Sequence, residues 1–185
     1  EKKLGQLAEL QVGDSLNQYA VEEALKRILR YYHTNGYPRT HITTVEGSRP
    51  GDRGITYMIH EGKRQLILTT RFVGNTIGSD ARLRTQAQSK RGFLWLFQGK
   101  MDLSKVDEDV DKLTAYYRSL GFFSARVGRE IEYSRTGKFV FLTFVVDEGP
   151  RYVVRNVSFV GHEKFSPTVM DQELVLKSGD YFNLK

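Results

Sequence analysis

Apolar and polar residues along this chain follow two spacings, one typical of helices and one typical of strands. The clearest helical stretch runs from Gln18 to Asn35, with apolar side chains on one face and charged side chains on the other. Gly36 follows it as a candidate left-handed helix cap. The same reasoning predicts helices over 3–10, 79–90, 102–121 and 167–177, and strands over 40–45, 55–60, 64–73, 125–133, 138–146 and 151–160.

Two stretches of sequence occur twice at nearly the same separation. Tyr31 to Tyr37 corresponds to Tyr116 to Phe122, 85 residues further on. Ile59-His60-Glu61-Gly62 corresponds to Val146-Asp147-Glu148-Gly149, 87 residues further on. Recurrence at a fixed period indicates a tandem array of one structural unit. The predicted order of elements in that unit is strand, helix, helix, strand, strand.

We therefore divide the chain into three copies of this unit. The first copy, residues 1–63, lacks its opening strand. The second copy, residues 64–150, is complete, and the third copy, residues 151–185, holds the opening strand and the first helix. We expect the incomplete end copies to promote head-to-tail or swapped association between chains.

The copies are connected by short segments that contain glycine. Gly62 lies at the first connection, and Gly149 and Pro150 lie at the second. Proline restricts the residue before it and cannot donate a backbone hydrogen bond, so it marks a strand end. We predict that these three residues are hinges between copies. Because the connecting segments are short, we also predict that they restrict how neighbouring copies are oriented.

The repeated unit resembles the POTRA (polypeptide-transport-associated) domain of outer-membrane assembly factors of the BamA type. The resemblance rests on the two Tyr-Tyr-x-x-x-Gly-aromatic helix ends, on Val127 in the strand after the second, on Asp147-Glu148-Gly149-Pro150, and on Phe159-Val160-Gly161. It implies an α+β fold of tandem POTRA-type β-α-α-β-β units. Each unit would be a three-stranded mixed sheet packed on two helices.

The resemblance also implies a location and a function. In that family the domains lie in the periplasm and precede a membrane barrel, which would attach this chain to the outer membrane. They bind nascent outer-membrane proteins or accessory periplasmic proteins. The implied mode is strand addition, in which an extended peptide pairs with an exposed sheet edge. The resemblance places that edge at Ala125, Arg126, Val127, Gly128, Arg129, Glu130, Ile131, Glu132 and Tyr133.

Charged and apolar side chains are interspersed along this candidate edge. Arg126, Glu130 and Glu132 alternate with Val127 and Ile131, among others. Charges of this kind also keep ordinary edge strands from aggregating. The sequence is therefore compatible with a binding edge and with a guarded edge that binds nothing.

A short apolar segment lies between the two predicted helices of the second copy. It consists of Phe93, Leu94, Trp95, Leu96 and Phe97, and basic residues flank it. Such a cluster either folds into the core or forms a contact surface, and a basic surrounding would suit anionic lipid head groups. We expect partial burial, with Trp95 at the rim.

Residue patterns for catalysis and for metal binding are missing from the sequence. The chain has no cysteine, which excludes disulfides and thiolate sites. His33, His41, His60 and His162 do not have the spacing of a metal site. Gly74 to Gly78 precedes a helix but lacks the lysine of a phosphate-binding loop. We therefore expect no enzyme activity, no cofactor and no metal.

Two alternative functions remain open from the sequence. The secretion porin of two-partner systems carries similar domains but recognises one exported client. The net charge of +6 also permits a basic nucleic-acid-binding α+β module. The aromatic residues of this chain, however, lie at core-facing helical positions, and the sequence contains no recognised nucleic-acid-binding motif. We therefore expect no nucleic acid among the partners.

The apolar segment yields a direct test of lipid contact. If Trp95 inserts between head groups, adding vesicles that contain anionic lipid will shift its fluorescence emission to shorter wavelength. Because the chain has one tryptophan, the signal reports this site alone. Unchanged emission over the full titration would remove the lipid interpretation.

Overall fold

A computed structural model describes residues 2–10, 17–47, 49, 52–89, 99–161, 164 and 166–182 of this protein. The apolar segment Phe93–Phe97 and His162 lie outside these residues, so the expectations for them stay predictions. The described part of the chain contains helices and strands in the predicted order, except for the strand predicted over 151–160. The elements are α1 Lys2–Ala8, α2 Gln18–Thr34, β1 His41–Glu46, β2 Thr56–His60, β3 Leu66–Val73, α3 Asp80–Gln86, α4 Leu103–Ser119, β4 Arg126–Tyr133, β5 Phe139–Asp147 and α5 Pro167–Glu173.

The long helix α2 forms where the apolar stripe predicts it. Its first turn is capped by Asn17, whose side chain accepts a hydrogen bond from the Tyr19 N–H at 3.0 Å. Its buried face consists of residues three to four positions apart, as an amphipathic helix requires. These are Val21, Ala24, Ile28 and Tyr32.

The first copy packs α1 and α2 against a two-stranded sheet of β1 and β2. The strands are antiparallel, and Ile42 on β1 faces Ile59 on β2. Ile42 is buried with Ile28 and Tyr32 in one apolar cluster. The Tyr57 hydroxyl donates a hydrogen bond to the Val21 carbonyl at 2.7 Å, which attaches the sheet to the helix. Within the described residues, the sheet of this copy consists of these two strands.

The second copy contains a three-stranded sheet in the order β3-β5-β4. The Leu66 N–H at the start of β3 donates to the Lys138 carbonyl beside the start of β5. Gly74, just after β3, lies against Val146 near the end of β5. The two strands therefore run parallel, and the β4–β5 hairpin makes the sheet mixed. On β5 every second residue is buried, namely Val140, Leu142, Phe144 and Val146.

A hydrogen-bonded joint links the end of α2 to the start of the second copy. The Gln65 N–H donates to the Gly36 carbonyl at 2.7 Å, and the Arg64 guanidinium donates to the Asn35 carbonyl at 3.3 Å. Asn35 and Gly36 directly follow the last residue of α2, so these bonds satisfy carbonyls that the helix does not use and that would otherwise need water. Gly36 has a φ of +89°, and a β carbon there would lie 3.0 Å from the Gln65 carbonyl oxygen. Glycine is therefore required for this approach.

The same joint recurs at the end of α4. The Tyr152 N–H donates to the Gly121 carbonyl at 2.8 Å, and Arg151 donates to the Leu120 carbonyl at 2.8 Å. In each joint the opening residues of one copy also pair with the segment after its first helix. The two antiparallel bridges are Leu66–Lys100 and Val153–Tyr181. The repeat therefore extends to the hydrogen bonds between copies.

The described chain divides into two compact units. The first comprises residues 1–70, 89–106 and 131–142. The second comprises residues 71–88, 107–130 and 143–185. Each joint lies within one of these compact units, the first joint in the first and the second joint in the second. The boundaries of the three copies at 63 and 150 remain a prediction from the sequence.

Helix α3 is shorter than predicted. Ser79 caps it as expected, but it ends at Gln86 rather than near residue 90. The Gln88 N–H donates to the Asp109 carboxylate at 2.7 Å. The Ser89 carbonyl accepts a hydrogen bond from the Thr70 hydroxyl at 3.1 Å. These tertiary hydrogen bonds take up backbone groups that a longer helix would use.

The strand predicted over 151–160 does not form. A strand needs a neighbour along its length, and within the described part of the chain this segment pairs only through the Val153–Tyr181 bridge. Beyond that bridge its residues are irregular, and Val160 is 95% exposed. The β-rich composition of this segment therefore did not suffice to make a strand.

None of the helices in the described ranges is long and apolar enough to span a lipid bilayer.

Two glycines at matching positions of the repeat give a test of the packing at the end of β3. A β carbon on Gly74 would lie 2.1 Å from the Val146 carbonyl oxygen, whereas one on Gly161 would meet nothing within 4 Å. Both residues have left-handed φ values, +82° and +77°. We expect Gly161→Ala to cost about 1 kcal/mol from backbone strain alone. Gly74→Ala should lower the free energy of unfolding by more, because the β3–β5 contact must open.

Denaturant unfolding of the two variants under identical conditions measures this difference. Equal losses would contradict the packing described for Gly74.

Candidate polypeptide-binding edge

Strand β4 lies at one edge of the three-stranded sheet, with β5 in the centre. It covers Arg126–Tyr133. Ala125 lies outside the strand, because it is fully buried and its N–H donates to the Phe122 carbonyl. The predicted edge of nine residues is thus eight residues long. No backbone hydrogen bond from β4 to another segment, apart from its pairing in the sheet, occurs among the described residues.

The two faces of β4 differ in exposure. Val127, Arg129 and Ile131 are half-buried, whereas the residues between them are exposed. Glu130 and Glu132 lie on the exposed face. Exposure therefore alternates with the period of two that a strand imposes, although the charged Arg129 shares the half-buried face with Val127 and Ile131.

Two side-chain contacts hold β4, one at its middle and one at its last residue. The Arg129 guanidinium lies 2.7 Å from the Asp107 carboxylate. At the last residue, the guanidinium of Arg39 lies 4.7 Å from the centre of the Tyr133 ring. The Asp107 side chain is 58% exposed, so we expect this ion pair to contribute about 0–1 kcal/mol. Such contacts orient the strand more than they stabilise it.

The opposite edge of the sheet, strand β3, is partly covered. The Ile67 N–H donates to the Gly99 carbonyl at 2.6 Å, and the Met101 N–H donates to the Gln65 carbonyl at 3.0 Å. The segment from Gly99 to Met101 therefore occupies the first positions of this edge. Among the residues that the structure describes, no segment pairs with the outer side of strand β4.

The end of β5 is held by a buried carboxylate that the sequence did not reveal. Glu148 accepts hydrogen bonds from the Thr76 N–H at 2.7 Å and the Ile77 N–H at 3.1 Å, and a short one from the Thr76 hydroxyl. Burial alone would raise its pKa, but these hydrogen bonds outweigh burial and lower the pKa of Glu148. The carboxylate connects the turn after β3 to the residue after β5.

A tyrosine lies next to this carboxylate in both copies. In the first copy the Tyr32 hydroxyl donates to Glu61 at 2.7 Å, and burial together with this bond raises the pKa of Tyr32 to about 12. In the second copy burial, followed by the charge of Glu148, raises the pKa of Tyr117. The Tyr117 hydroxyl makes no hydrogen bond of ordinary geometry within the described residues. The signal in the sequence was the recurrence of both residue types at the repeat period.

The three predicted hinge residues lie directly after strand ends. Gly62 and Gly149 have left-handed φ values of +70° and +64°. A β carbon on Gly149 would lie 2.8 Å from the Ser124 hydroxyl oxygen. Pro150 follows before the second joint begins at Arg151. Whether these residues act as hinges stays a prediction.

Among the described residues, no group of three or more His, Cys, Asp or Glu side chains is placed to hold a metal ion. His33 lies on α2, while His41 and His60 lie on β1 and β2. The register of the hairpin brings these last two directly opposite each other. The sequence spacing gave no indication of this proximity.

The chain matches the family model POTRA, described as a surface antigen variable number repeat, over residues 1–62 and 69–149. A putative outer membrane protein assembly factor of Treponema pallidum is 25% identical over 182 residues, which covers 95% of this chain and 21% of that protein. The outer membrane protein assembly factor BamA of Neisseria meningitidis serogroup B is 25% identical over 172 residues, or 90% of this chain and 22% of that protein. The chain therefore spans about a fifth of the length of these relatives.

Solved structures show the same fold. The crystal structure of Haemophilus influenzae BamA POTRA3-5 aligns with a TM-score of 0.59 and 22% identity, covering 99% of this chain and 74% of that one. BamA from Haemophilus ducreyi lacking POTRA domains 1–3 also aligns with a TM-score of 0.59, at 16% identity, covering 82% of this chain and 27% of that one. The predicted α+β fold of tandem units is confirmed.

The buried carboxylate yields a pH prediction. Because the pKa of Glu148 is lowered on folding from its usual 4.5, its contribution to stability is complete above about pH 4.5 and is lost as the pH falls through the lower folded value. We expect Glu148→Gln to cost about 1.5–3 kcal/mol at neutral pH, the usual range for hydrogen bonds to a charged group. The variant should lose less further stability than the parent protein on acidification.

Chemical unfolding measured from pH 7 to pH 3 tests this, with Glu132→Gln on the exposed face of β4 as the matched control. The control should follow the parent protein at every pH. Parallel curves for the parent protein and Glu148→Gln would show that Glu148 is not the titrating group.

Proposed function

The chain belongs to the POTRA family, and we propose that it is a periplasmic scaffold segment of an outer-membrane protein assembly factor, which binds polypeptides by strand addition along β4. The proposal assigns no enzymatic step to it. The single observation that carries the binding mode is the open backbone edge of β4, at the side of the sheet away from β3. The names of the relatives favour assembly over the secretion of one exported client.

The backbone of β4 supplies the binding groups in this proposal. An edge strand presents a row of N–H and C=O groups that are not used by its own sheet. A peptide that lies beside β4 would form main-chain hydrogen bonds with these groups, and such bonds require little of the peptide sequence. This tolerance suits a scaffold that receives many different clients.

The side chains of β4 define which peptides fit best. An added strand would extend the half-buried face past Val127 and Ile131, so every second residue of the client should be apolar. Its other residues would lie beside Arg126, Glu130 and Glu132 and should be polar. Strands of outer-membrane proteins alternate apolar and polar residues in this way. Nascent outer-membrane proteins are therefore the client class that we propose, with accessory periplasmic proteins as further partners.

The charges on β4 would disfavour pairing between two copies of this strand. Two copies of β4 side by side would bring several exposed charges of like sign close together in some registers, which disfavours pairing between copies. A client with neutral polar residues at these positions avoids that repulsion. One strand can therefore both disfavour pairing with its own copies and bind a client peptide.

Peptides that are N-methylated at alternate residues test strand addition directly. An extended peptide pairs with β4 through the N–H groups on one of its edges only, so methylating these groups removes the ladder. Methylating the other alternate set leaves the ladder intact while keeping composition and charge equal. We expect one of the two peptides to lose at least about tenfold in affinity, because several hydrogen bonds of about 1 kcal/mol each are lost.

Fluorescence anisotropy with an alternating apolar peptide measures the affinities, and hydrogen exchange locates the contact. The productive peptide should slow exchange of the β4 amides. If both methylated peptides bind with equal affinity, or if protection appears away from β4, strand addition at this edge is wrong.

A further inference from the structure

The outer face of the first-copy hairpin carries two histidines opposite each other. His41 is the first residue of β1 and His60 is the last residue of β2, and the register pairs them directly. Both side chains are exposed. Residues that face each other in an antiparallel pair have β carbons about 4.5–5.5 Å apart. The two imidazoles therefore have the separation from which one ion can be chelated.

A methionine lies beside this pair on the same face. Met58 precedes His60 by two residues on β2 and lies diagonally across from His41. Its side chain is 63% exposed, so its sulfur is accessible from solvent. The face thus presents two nitrogen ligands and one thioether sulfur.

Thr43 fixes the orientation of one imidazole. Its hydroxyl oxygen lies 3.3 Å from the Nε2 atom of His41. If Nε2 carries the proton and donates it to Thr43, the Nδ1 atom of His41 is the nitrogen with a free lone pair. Histidines that bind metals usually donate their second ring N–H to such a partner, which selects the tautomer.

We propose that His41, His60 and Met58 form a copper-binding site on the outer face of β1 and β2. Imidazole nitrogens bind Cu²⁺ more tightly than they bind the other divalent first-row metals. A thioether is a soft ligand that favours the cuprous ion. A structural zinc site would need four ligands. No third His, Cys, Asp or Glu joins the pair within the described ranges. Copper is the metal that this ligand set fits.

The site shares no residue with the proposed peptide-binding edge. Its three ligands lie on β1 and β2 and none lies on β4, so a variant that loses copper should still bind the alternating peptide. This separation makes the two proposals independently testable.

Titration of the protein with Cu²⁺ against a chromophoric chelator tests the site. We expect one ion per chain, and His41→Ala and His60→Ala should each lower the affinity at least about tenfold, since loss of even an outer partner has that effect. His33→Ala on α2 is the matched control and should bind as the parent protein does. Circular dichroism of each variant verifies that the hairpin is still folded.

Two further readouts assign the ligands. Electron paramagnetic resonance of the Cu²⁺ form should show coupling to two imidazole nitrogens in the parent protein and to one in each histidine variant. Met58→Leu should weaken Cu⁺ binding while leaving Cu²⁺ binding nearly unchanged, because the soft sulfur matters most for the cuprous ion. Equal Cu²⁺ affinity for the parent protein and the His41→Ala/His60→Ala double variant, or an equal loss in His33→Ala, would overturn the proposal.

Discussion

The backbone hydrogen bond from the first residues of one copy to the glycine that ends the preceding helix is the constraint on which this structure depends. It joins Gln65 to Gly36 at 2.7 Å and Tyr152 to Gly121 at 2.8 Å. In each case an arginine adds a second bond to the carbonyl just before the glycine. The carbonyls just beyond the helix end would otherwise need water, and here the next copy supplies their partners. The copies are therefore hydrogen-bonded to one another and are not independent domains.

This constraint also determines where the open edge lies. The joint fixes the start of β3, and the segment from Gly99 to Met101 pairs with that start and covers the outer side of β3. Strand β5 occupies the inner side of β3, which leaves β4 as the outermost strand. The opening of the second copy therefore attaches this copy to its predecessor and also lies at the edge of the sheet opposite β4.

Much of the fold could be predicted from the sequence, because it depends on local patterns. The apolar stripe of α2, the stop at Gly36 and the β5 alternation each reflect a spacing within one element. The features that were missed depend on residues far apart. Helix α3 ends early because Asp109 and Thr70 bind backbone groups of the residues just after it. Within the described residues, 151–160 have no partner strand. The contact of Glu148 with Thr76 and the pairing of His41 with His60 likewise follow from topology and register, which spacing does not encode.

The distance along the chain between Thr76 and Glu148 has a consequence for the order of folding. Their hydrogen bond spans 72 residues, and the parallel pairing of β3 with β5 closes a loop of similar length. Closing such a loop costs conformational entropy that no local contact offsets beforehand. Helix α4 and the β4–β5 hairpin need only neighbouring residues and can form quickly. During synthesis from the amino terminus, β3 is therefore made well before β5 and cannot pair with β5 until that strand has followed. The second copy closes only when almost all of it is present.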